Sequence, residues 1–189
     1  MTILPIDEIN ALEDKLKPHF NDDGKIKSKQ DAEDIIDELL DLFLLSYANG
    51  ATATNTELGT SVMPPVDAVD AAVYAPVAGE TWRDRVMGYY DSGGTLYDIR
   101  RIAETDATRI YNQGAVDAVV ANGATGVSKR WRTMNDDRVR DTHDYLEGMV
   151  VPFDADFYTY DGDHAPFPGM FELPENSINC RCVVEVIRG

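Results

Sequence analysis

The sequence predicts an α+β fold, with a helical N-terminal half followed by a long helix packed on a small, mainly antiparallel sheet. Apolar residues recur at helical spacing through most of the first 122 residues, and strand-like alternation first appears after residue 126. The apolar fraction of 43% over 189 residues is typical of a globular chain. We divide the chain into an acidic helical N-terminal region, residues 1–77, and a C-terminal domain, residues 78–189.

The N-terminal region is predicted to contain two amphipathic helices. The first covers residues 6–20, where the apolar residues keep helical spacing. Ser28, followed by Asp31 three residues later, has the pattern of an N-cap for the second helix. We expect Gly50 to end that helix and residues 51–64, rich in Ala, Thr, Asn and Gly, to form a linker. A short helix over residues 66–74 follows.

The C-terminal domain begins with a helix that Thr81 caps and that runs to Tyr90. Thr95 and Asp98 form a capping pattern at the start of the longest predicted helix, which extends to about Asn122. Strands are predicted over residues 127–134, 149–153 and 180–187, with a short helix over residues 136–148 between the first two. The last strand is apolar on both faces, so we expect it to be internal in the sheet.

Charge argues against tight, direct binding of duplex DNA. The chain has 17 basic and 34 acidic side chains, a net charge of −17 and a pI near 4.3, and the acidic excess is concentrated before residue 80. Such a region repels phosphate, and its simplest interpretation is solubility; a partner with a basic surface is the alternative. A weak DNA contact through Lys129, Arg130 and Arg132 stays open, although strand alternation places Lys129 on the opposite face from the two arginines.

The start of the chain and its cysteines indicate a reducing compartment. Residues 1–9 lack a basic segment followed by an apolar one, so we expect no signal peptide. No apolar stretch is long enough to cross a bilayer, so we expect no membrane span. The two cysteines, Cys180 and Cys182, are too close together for a disulfide between them to stabilise a fold in the usual way.

The long helix carries a stripe of polar residues on one face. Arg101, Thr105 and Arg109 are spaced four residues apart, and Asn112 follows one turn later. Such a stripe is usually a solvated face. The alternative is an internal hydrogen-bond network in which the arginines bind groups of the C-terminal loop and hold the helix to the sheet.

His143, Cys180 and Cys182 are the residues most suited to binding a metal. His143 lies on the apolar side of its predicted helix, and the two cysteines point to the same face of a strand. Together they would supply three ligands of a zinc site, with His164 as the nearby fourth candidate. Buried thiols beside a structural histidine, and a redox role, are the alternatives; we expect no cofactor unless zinc is bound.

Read in order, these residues resemble the phage head morphogenesis family of minor capsid proteins, the Mu F-like proteins. In that family a helix with an Arg, Glu, Thr and Asn pattern precedes a Trp-containing strand, a charged series with a His and a Gly, and a final Asn-Cys-Arg-Cys strand. Many relatives also carry a second His shortly before the cysteines, where this chain has residues 174–178. The motif residues here are Arg101, Glu104, Thr105, Arg109, Asn112, Trp131, Asp137, Arg138, Arg140, His143, Gly148, Asn179, Cys180, Arg181 and Cys182.

The resemblance implies a non-enzymatic structural protein of the virion head, assembled in the host cytoplasm. It implies a role in head morphogenesis and in DNA packaging or ejection near the portal, with portal or other capsid proteins as partners and weak or indirect contact with packaged DNA. We interpret the acidic N-terminal helices as the segment that docks on such a partner, because amphipathic helices commonly bind in grooves.

Two other functions are weighed against this one. The first is a metal-dependent hydrolase or nuclease using His143, Asp137, Cys180 and Cys182, but the carboxylates nearest to His143 in sequence point around the helix, away from the imidazole. The second is a delivery module for a phage-derived toxin, since relatives of this family occur fused to effector domains. Because the sequence ends at Gly189, directly after the last predicted strand, we expect no cargo domain.

Overall fold

Five α-helices form the first part of the described chain. The computed structural model of the chain describes residues 6–77 and 79–188, so residues 1–9, whose sequence predicts no signal peptide, lie partly outside the described residues. The helices are α1 (Ile6–Leu16), α2 (Lys29–Leu58), α3 (Val66–Val73), α4 (Trp82–Ser92) and α5 (Leu96–Ala121), and a 3-10 turn (Lys17–His19) follows α1. None of the described helices combines the length and hydrophobicity that a membrane-spanning segment requires.

Side-chain caps fix where three of these helices begin. Ser28 accepts a hydrogen bond from the backbone N–H of Asp31, as its sequence pattern predicts. Thr81 and Thr95 form capping boxes with Asp84 and Asp98. The predicted starts of α2, α4 and α5 are therefore confirmed.

The prediction that Gly50 ends the second helix is wrong, because α2 continues through it to Leu58. Residues 51–58 of the predicted linker are helical, and only the remainder is a loop. Gly50 is interior because α2 crosses α5 there: a Cβ at Gly50 would lie 1.9 Å from the carbonyl oxygen of Tyr111, and a Cβ at Gly114 would lie 2.3 Å from that of Tyr47. Only residues without a Cβ allow the two backbones to approach this closely.

The C-terminal part forms a three-stranded antiparallel sheet and a small hairpin. Strands β1 (Val127–Arg132), β2 (Val150–Pro152) and β5 (Val183–Arg188) are ordered β2-β1-β5, and β3 (Phe157–Tyr158) pairs with β4 (His164–Ala165). The register opposes Trp131 on β1 to Val184 on β5. Two single-turn helices, α6 (Asp141–Asp144) and α7 (Pro174–Ser177), complete the domain, so the helix predicted over residues 136–148 is helical only in its middle.

The prediction that the last strand is internal is wrong, because β1 is the central strand and β5 pairs with it on one side. The valines of β5 are buried instead by helix packing: Val186 lies with Leu58 of α2 and Val119 of α5. The α+β class, with a long helix on a small antiparallel sheet, is confirmed. The N-terminal helices do not stand apart, since α2 packs along α5 over most of its length.

Candidate functional site

Asn112 joins the long helix α5 to the end of the chain. Its side-chain amide donates to the carbonyl oxygens of Pro168 at 3.0 Å and Cys182 at 3.1 Å, and its oxygen accepts from the N–H of Val184 at 2.8 Å. The residue is fully buried, so water cannot replace these partners. Asn112 therefore fixes the position of β5 against α5.

A second set of contacts positions the segment before the two cysteines. The backbone N–H of Asn179 donates to the hydroxyl of Thr105 at 2.9 Å, and Asn179 itself adopts a left-handed conformation with φ of 57°. The guanidinium of Arg140 donates to the carbonyl oxygen of Ile178. Thr105 of the helix stripe and Arg140 of the charged series thus bind the N–H and the C=O of one peptide group, the one between Ile178 and Asn179.

Arg101 and Glu104 do not reach this turn. Arg101 donates instead to the hydroxyl of Tyr89 on α4 at 2.5 Å. Glu104 forms ion pairs with Arg100 at 3.0 Å and with Arg138 at 3.2 Å. These contacts tie α5 to α4 and to the loop after β1, so the polar stripe is divided among several partners.

Arg109 lies in a buried ion-pair network whose acidic member the sequence analysis missed. Asp106 is completely buried and lies 2.6 Å from Arg85 and 3.4 Å from Arg109. The guanidinium of Arg109 also donates to the carbonyl oxygens of Ala72 and Ala75. Burial lowers the pKa of Arg109, an effect that the Asp106 carboxylate opposes. Helical spacing from Arg109 would have placed Asp106 on the same face.

Arg181 forms an ion pair with Asp136, which directly precedes the motif residue Asp137. The guanidinium makes two hydrogen bonds to the Asp136 carboxylate, at 2.8 and 2.6 Å, and this interaction lowers the pKa of Asp136. Asp137 is exposed and belongs to no ion pair found among residues 6–77 and 79–188. The two adjacent aspartates could not be distinguished by sequence, because the turn decides which one faces Arg181.

His143, Cys180 and Cys182 converge in the C-terminal core. His143 is 1% exposed, and its Nδ1 lies 3.6 Å from the Sγ of Cys180 and 3.5 Å from that of Cys182. The imidazole stacks on Phe171 and packs edge-to-face with the fully buried Trp131. The predicted strand over residues 180–187 begins only at Val183, so both cysteines precede β5, but their sulfurs still lie close together beside His143.

The two thiols influence each other's protonation. The hydrogen bond between the sulfurs lowers the pKa of Cys180, with His143 acting in the same direction. The same hydrogen bond, together with burial, raises the pKa of Cys182. Among the described residues, His143, Cys180 and Cys182 are the one fully buried group of metal-ligand type whose atoms lie within 4.8 Å of one another.

His164, proposed as a fourth ligand, lies outside this group. It is half-exposed on β4, pairs with Asp156 at 2.9 Å and stacks on Tyr158. Gly148 has a φ of 74°, and its N–H donates to the carbonyl oxygen of Trp131, so its role is to shape the turn into β2.

The basic residues of β1 are already engaged in internal contacts. Lys129 is buried, donates to the carbonyl oxygen of Pro166 at 2.6 Å and has its pKa lowered by burial. Arg130 and Arg132 pair with Glu185 and Glu147 on neighbouring segments. This arrangement leaves little free positive charge for a DNA backbone.

The fold and these contacts define a class of protein: an α+β domain in which several motif residues join a long helix to the last strand and the segment before it. The sequence profile of the Phage Mu protein F like protein family matches residues 77–185, more than half of the chain. The chain belongs to the Phage Mu protein F like protein family, which confirms the resemblance found in the sequence.

Two curated relatives each match about half of the chain. One is the NAD(+)--arginine ADP-ribosyltransferase EFV of Enterococcus faecalis, 34% identical over 93 residues, which cover 47% of this chain and 19% of the relative. The other is the minor head protein GP7 of Bacillus phage SPP1, 29% identical over 97 residues, which cover 50% of this chain and 32% of the relative. The match thus spans a third or less of either relative's length. No solved structure matches.

Proposed function

We propose that the chain is a structural, non-enzymatic component of a tailed-phage or prophage head, acting in head morphogenesis and in DNA packaging or ejection near the portal. Family membership and the similarity to a minor head protein support this assignment. The observation that carries it is the use of the signature residues: Thr105, Asn112 and Arg140 all bind backbone groups of the C-terminal segment. These contacts stabilise the domain.

Three carboxylates that are motif residues or their direct neighbours in sequence also favour a structural role. A hydrolytic centre needs a general base within reach of the attacking water. Asp136 is bound by Arg181, Glu104 by Arg100 and Arg138, and Glu147 by Arg132 and by the N–H of Thr133. Carboxylates held in this way act as ion-pair partners, and the exposed Asp137 lies outside the cluster of His143 and the two cysteines.

We place the docking surface for a portal or other capsid protein on the outer face of α2. Asp37 and Asp41 are exposed there, and Leu44 and Leu45 on the same helix are 42% and 44% exposed. A surface with negative charge beside exposed apolar side chains suits a partner that offers basic and apolar groups. The exposed acids of α3, Asp67 and Asp70, lie on a different helix and provide a matched control.

The test is deletion of the gene from a phage or prophage that encodes the chain, followed by complementation. Without the protein we expect fewer infectious particles, and the wild-type chain should restore them. D37K/D41K should restore fewer particles and lose portal or capsid co-purification, whereas D67K/D70K, with the same charge change, should behave as wild type. Normal particle yield and infectivity after deletion would contradict the proposed function.

A second candidate function, delivery of a toxin, is favoured by the similarity to an ADP-ribosyltransferase of which the matched segment is only a fifth. Such a match is expected if this domain type is joined to effectors in longer proteins. A reporter enzyme fused after Gly189 tests this function: reporter activity inside recipient cells exposed to particles would support delivery. A reporter that is packaged into particles but never transferred to recipient cells would be consistent with the head role and would exclude delivery by this chain.

A further inference from the structure

The separations between the buried imidazole and the two thiols match those of ligands around one metal ion. The Nδ1 of His143 lies 3.6 Å from one Sγ and 3.5 Å from the other. A tetrahedral zinc ion with Zn–S bonds of about 2.3 Å and Zn–N bonds of about 2.0–2.1 Å places N and S about 3.6 Å apart. Both N–S separations therefore fit a shared zinc ion, and the three donor atoms all lie within 4.8 Å of one another.

A direct hydrogen bond explains this arrangement less well. A ring nitrogen offers one lone pair or one N–H, and either is directed to a single partner. Here two sulfurs lie at nearly equal distances from the same nitrogen, although that nitrogen can hydrogen-bond to only one of them at a time. A metal ion that binds all three atoms accounts for both distances. The Nε2 of His143 is buried without a hydrogen-bond partner among the described residues, so the imidazole has polar partners only at Nδ1.

We propose that His143 Nδ1, Cys180 Sγ and Cys182 Sγ bind one zinc ion. Two thiolates and a neutral imidazole around Zn²⁺ form a group with no net charge, which a buried site accommodates far better than separate ions. Coordination through Nδ1 places the ring proton on Nε2 and thereby fixes the tautomer. The ligands come from α6 and from the segment before β5, so the ion links two parts of the C-terminal domain that are 37 to 39 residues apart.

A small cavity lies beside His143 and Cys182 and could hold a solvent molecule as the fourth ligand. This cavity has room for about one water molecule and is lined also by Met134, Arg138, Arg140 and Arg181. A water or hydroxide ligand there would lie beside positively charged guanidinium groups, while the acidic partners Asp136 and Glu104 are occupied. The proposed site therefore has three protein ligands and a solvent ligand. We assign it a structural role because the nearby carboxylates of Asp136 and Glu104 are held in ion pairs, and the proposal does not depend on the head role proposed above.

Metal analysis of the full chain, purified without chelator, is the first test. We expect about one equivalent of zinc, and replacement by Co²⁺ should give the thiolate-to-cobalt charge-transfer absorption and the visible bands of a tetrahedral centre. Zinc should raise the thermal unfolding midpoint in a concentration-dependent way, because a ligand that binds the folded state stabilises it. A reduced, folded apo chain that binds neither zinc nor cobalt at micromolar concentration would overturn the proposal.

Variants identify the ligands. Cys182→Ser and His143→Gln should each lower zinc affinity at least tenfold and weaken or shift the cobalt bands, whereas His164→Ala, which removes a half-exposed imidazole, should change neither. If the two ligand variants fail to fold, the cobalt spectrum of the wild-type chain decides, since charge-transfer absorption requires bound thiolate. Detection of a Cys180–Cys182 disulfide in the freshly purified chain, with no metal bound, would also contradict the site.

Discussion

Among single substitutions of charged residues, we expect removal of the Asp106 side chain to lower the free energy of unfolding most. It is completely buried between Arg85 and Arg109, and its loss would leave the buried Arg109 without its carboxylate partner. We expect Asp106→Ala to lower the free energy of unfolding by about 3–5 kcal/mol, measured by urea denaturation. Glu33→Gln, which removes the partly exposed partner of Arg83, should lower it by less than about 1 kcal/mol. Equal effects of the two substitutions would contradict the assigned burial.

A substitution at Asn112 tests the hydrogen bonds that join α5 to β5 and to the loop before it. Asn112→Ala removes three buried hydrogen bonds and leaves the Val184 N–H and two carbonyl oxygens without partners. We expect a loss of about 2–4 kcal/mol in the free energy of unfolding. The neighbouring Gln113→Ala, which removes one half-buried bond to Asp117, should cost less than about 1 kcal/mol. A small effect at Asn112 would mean that the helix–strand contact is held by apolar packing alone.

Single residues of the site differ in how far the sequence predicts them. Helix and strand periodicity predicted that His143 points inward and that the two cysteines share a face. The structure brings the three side chains together, although the cysteines lie just before β5 and not within it. His164 was included because it was near in sequence, but the β3–β4 hairpin directs it to Asp156 instead. Asp106 was missed because its partner Arg85 lies 21 residues away on another helix, a contact that only tertiary packing creates.

At the scale of elements, the crossing of α2 and α5 gives a sharp substitution test. Gly50→Ala places a Cβ within 1.9 Å of the Tyr111 carbonyl oxygen, so the helices must separate. We expect the free energy of unfolding to fall by about 1–3 kcal/mol despite the higher helix propensity of alanine. Gly88→Ala on α4, where a Cβ meets nothing within 4 Å, should raise it by about 0.5–1 kcal/mol. Thermal and urea unfolding of both variants measure the contrast, and stabilisation by Gly50→Ala would refute the crossing.

The start of α2 predicts a pH dependence of stability. Hydrogen bonds from Ser28 and His19 lower the pKa of Asp31 below 3.8. The unfolded chain therefore takes up this proton first on acidification, and the stabilisation is present at neutral pH and lost as the pH falls through the folded pKa. Asp31→Asn should cost about 0.5–1 kcal/mol at pH 7, with the difference from wild type shrinking below about pH 3.8. Urea unfolding of wild type and Asp31→Asn across the acid range measures this difference, and Asp22→Asn serves as an exposed control. A difference between wild type and Asp31→Asn that stays constant with pH would mean that the Asp31 carboxylate is unpaired.

Helix starts were predictable because capping is local: Ser28, Thr81 and Thr95 each bond within three residues. The end of α2 was not, because a glycine that usually stops a helix is here required by a neighbour 61 residues further along the chain. The order of the strands in the sheet also could not be predicted from the local sequence pattern. The valines make β5 as apolar as a central strand, which led to the wrong prediction. They are buried because helices α2 and α5 pack on this edge strand.

At the scale of the whole molecule, the recognised family region is expected to need the N-terminal helices. Helix α5 buries one face against α2, and Ile99, Ile102 and Ile110 share a core with the residues of α1 and α2. A fragment of residues 78–189 would expose this apolar surface to water. We expect the fragment to bind a hydrophobic dye and to unfold without a sharp transition, whereas the full chain unfolds in one cooperative step. A well-folded, soluble fragment of native stability would instead support two independent domains, the division that the sequence predicts.

The backbone contact at Gly50 and Gly114 also makes some amide hydrogens useful as probes of the whole molecule. Peptide groups on both sides of the crossing are shielded from solvent by another main chain, so separating the helices disrupts the core they share. Deuterium should therefore enter the amides of Ala51 and Ala115 only when the entire molecule opens, while the hairpin amides of Tyr158 and Thr159 exchange through smaller, local openings. The exchange rate at two small residues would then report the global opening free energy without any denaturant.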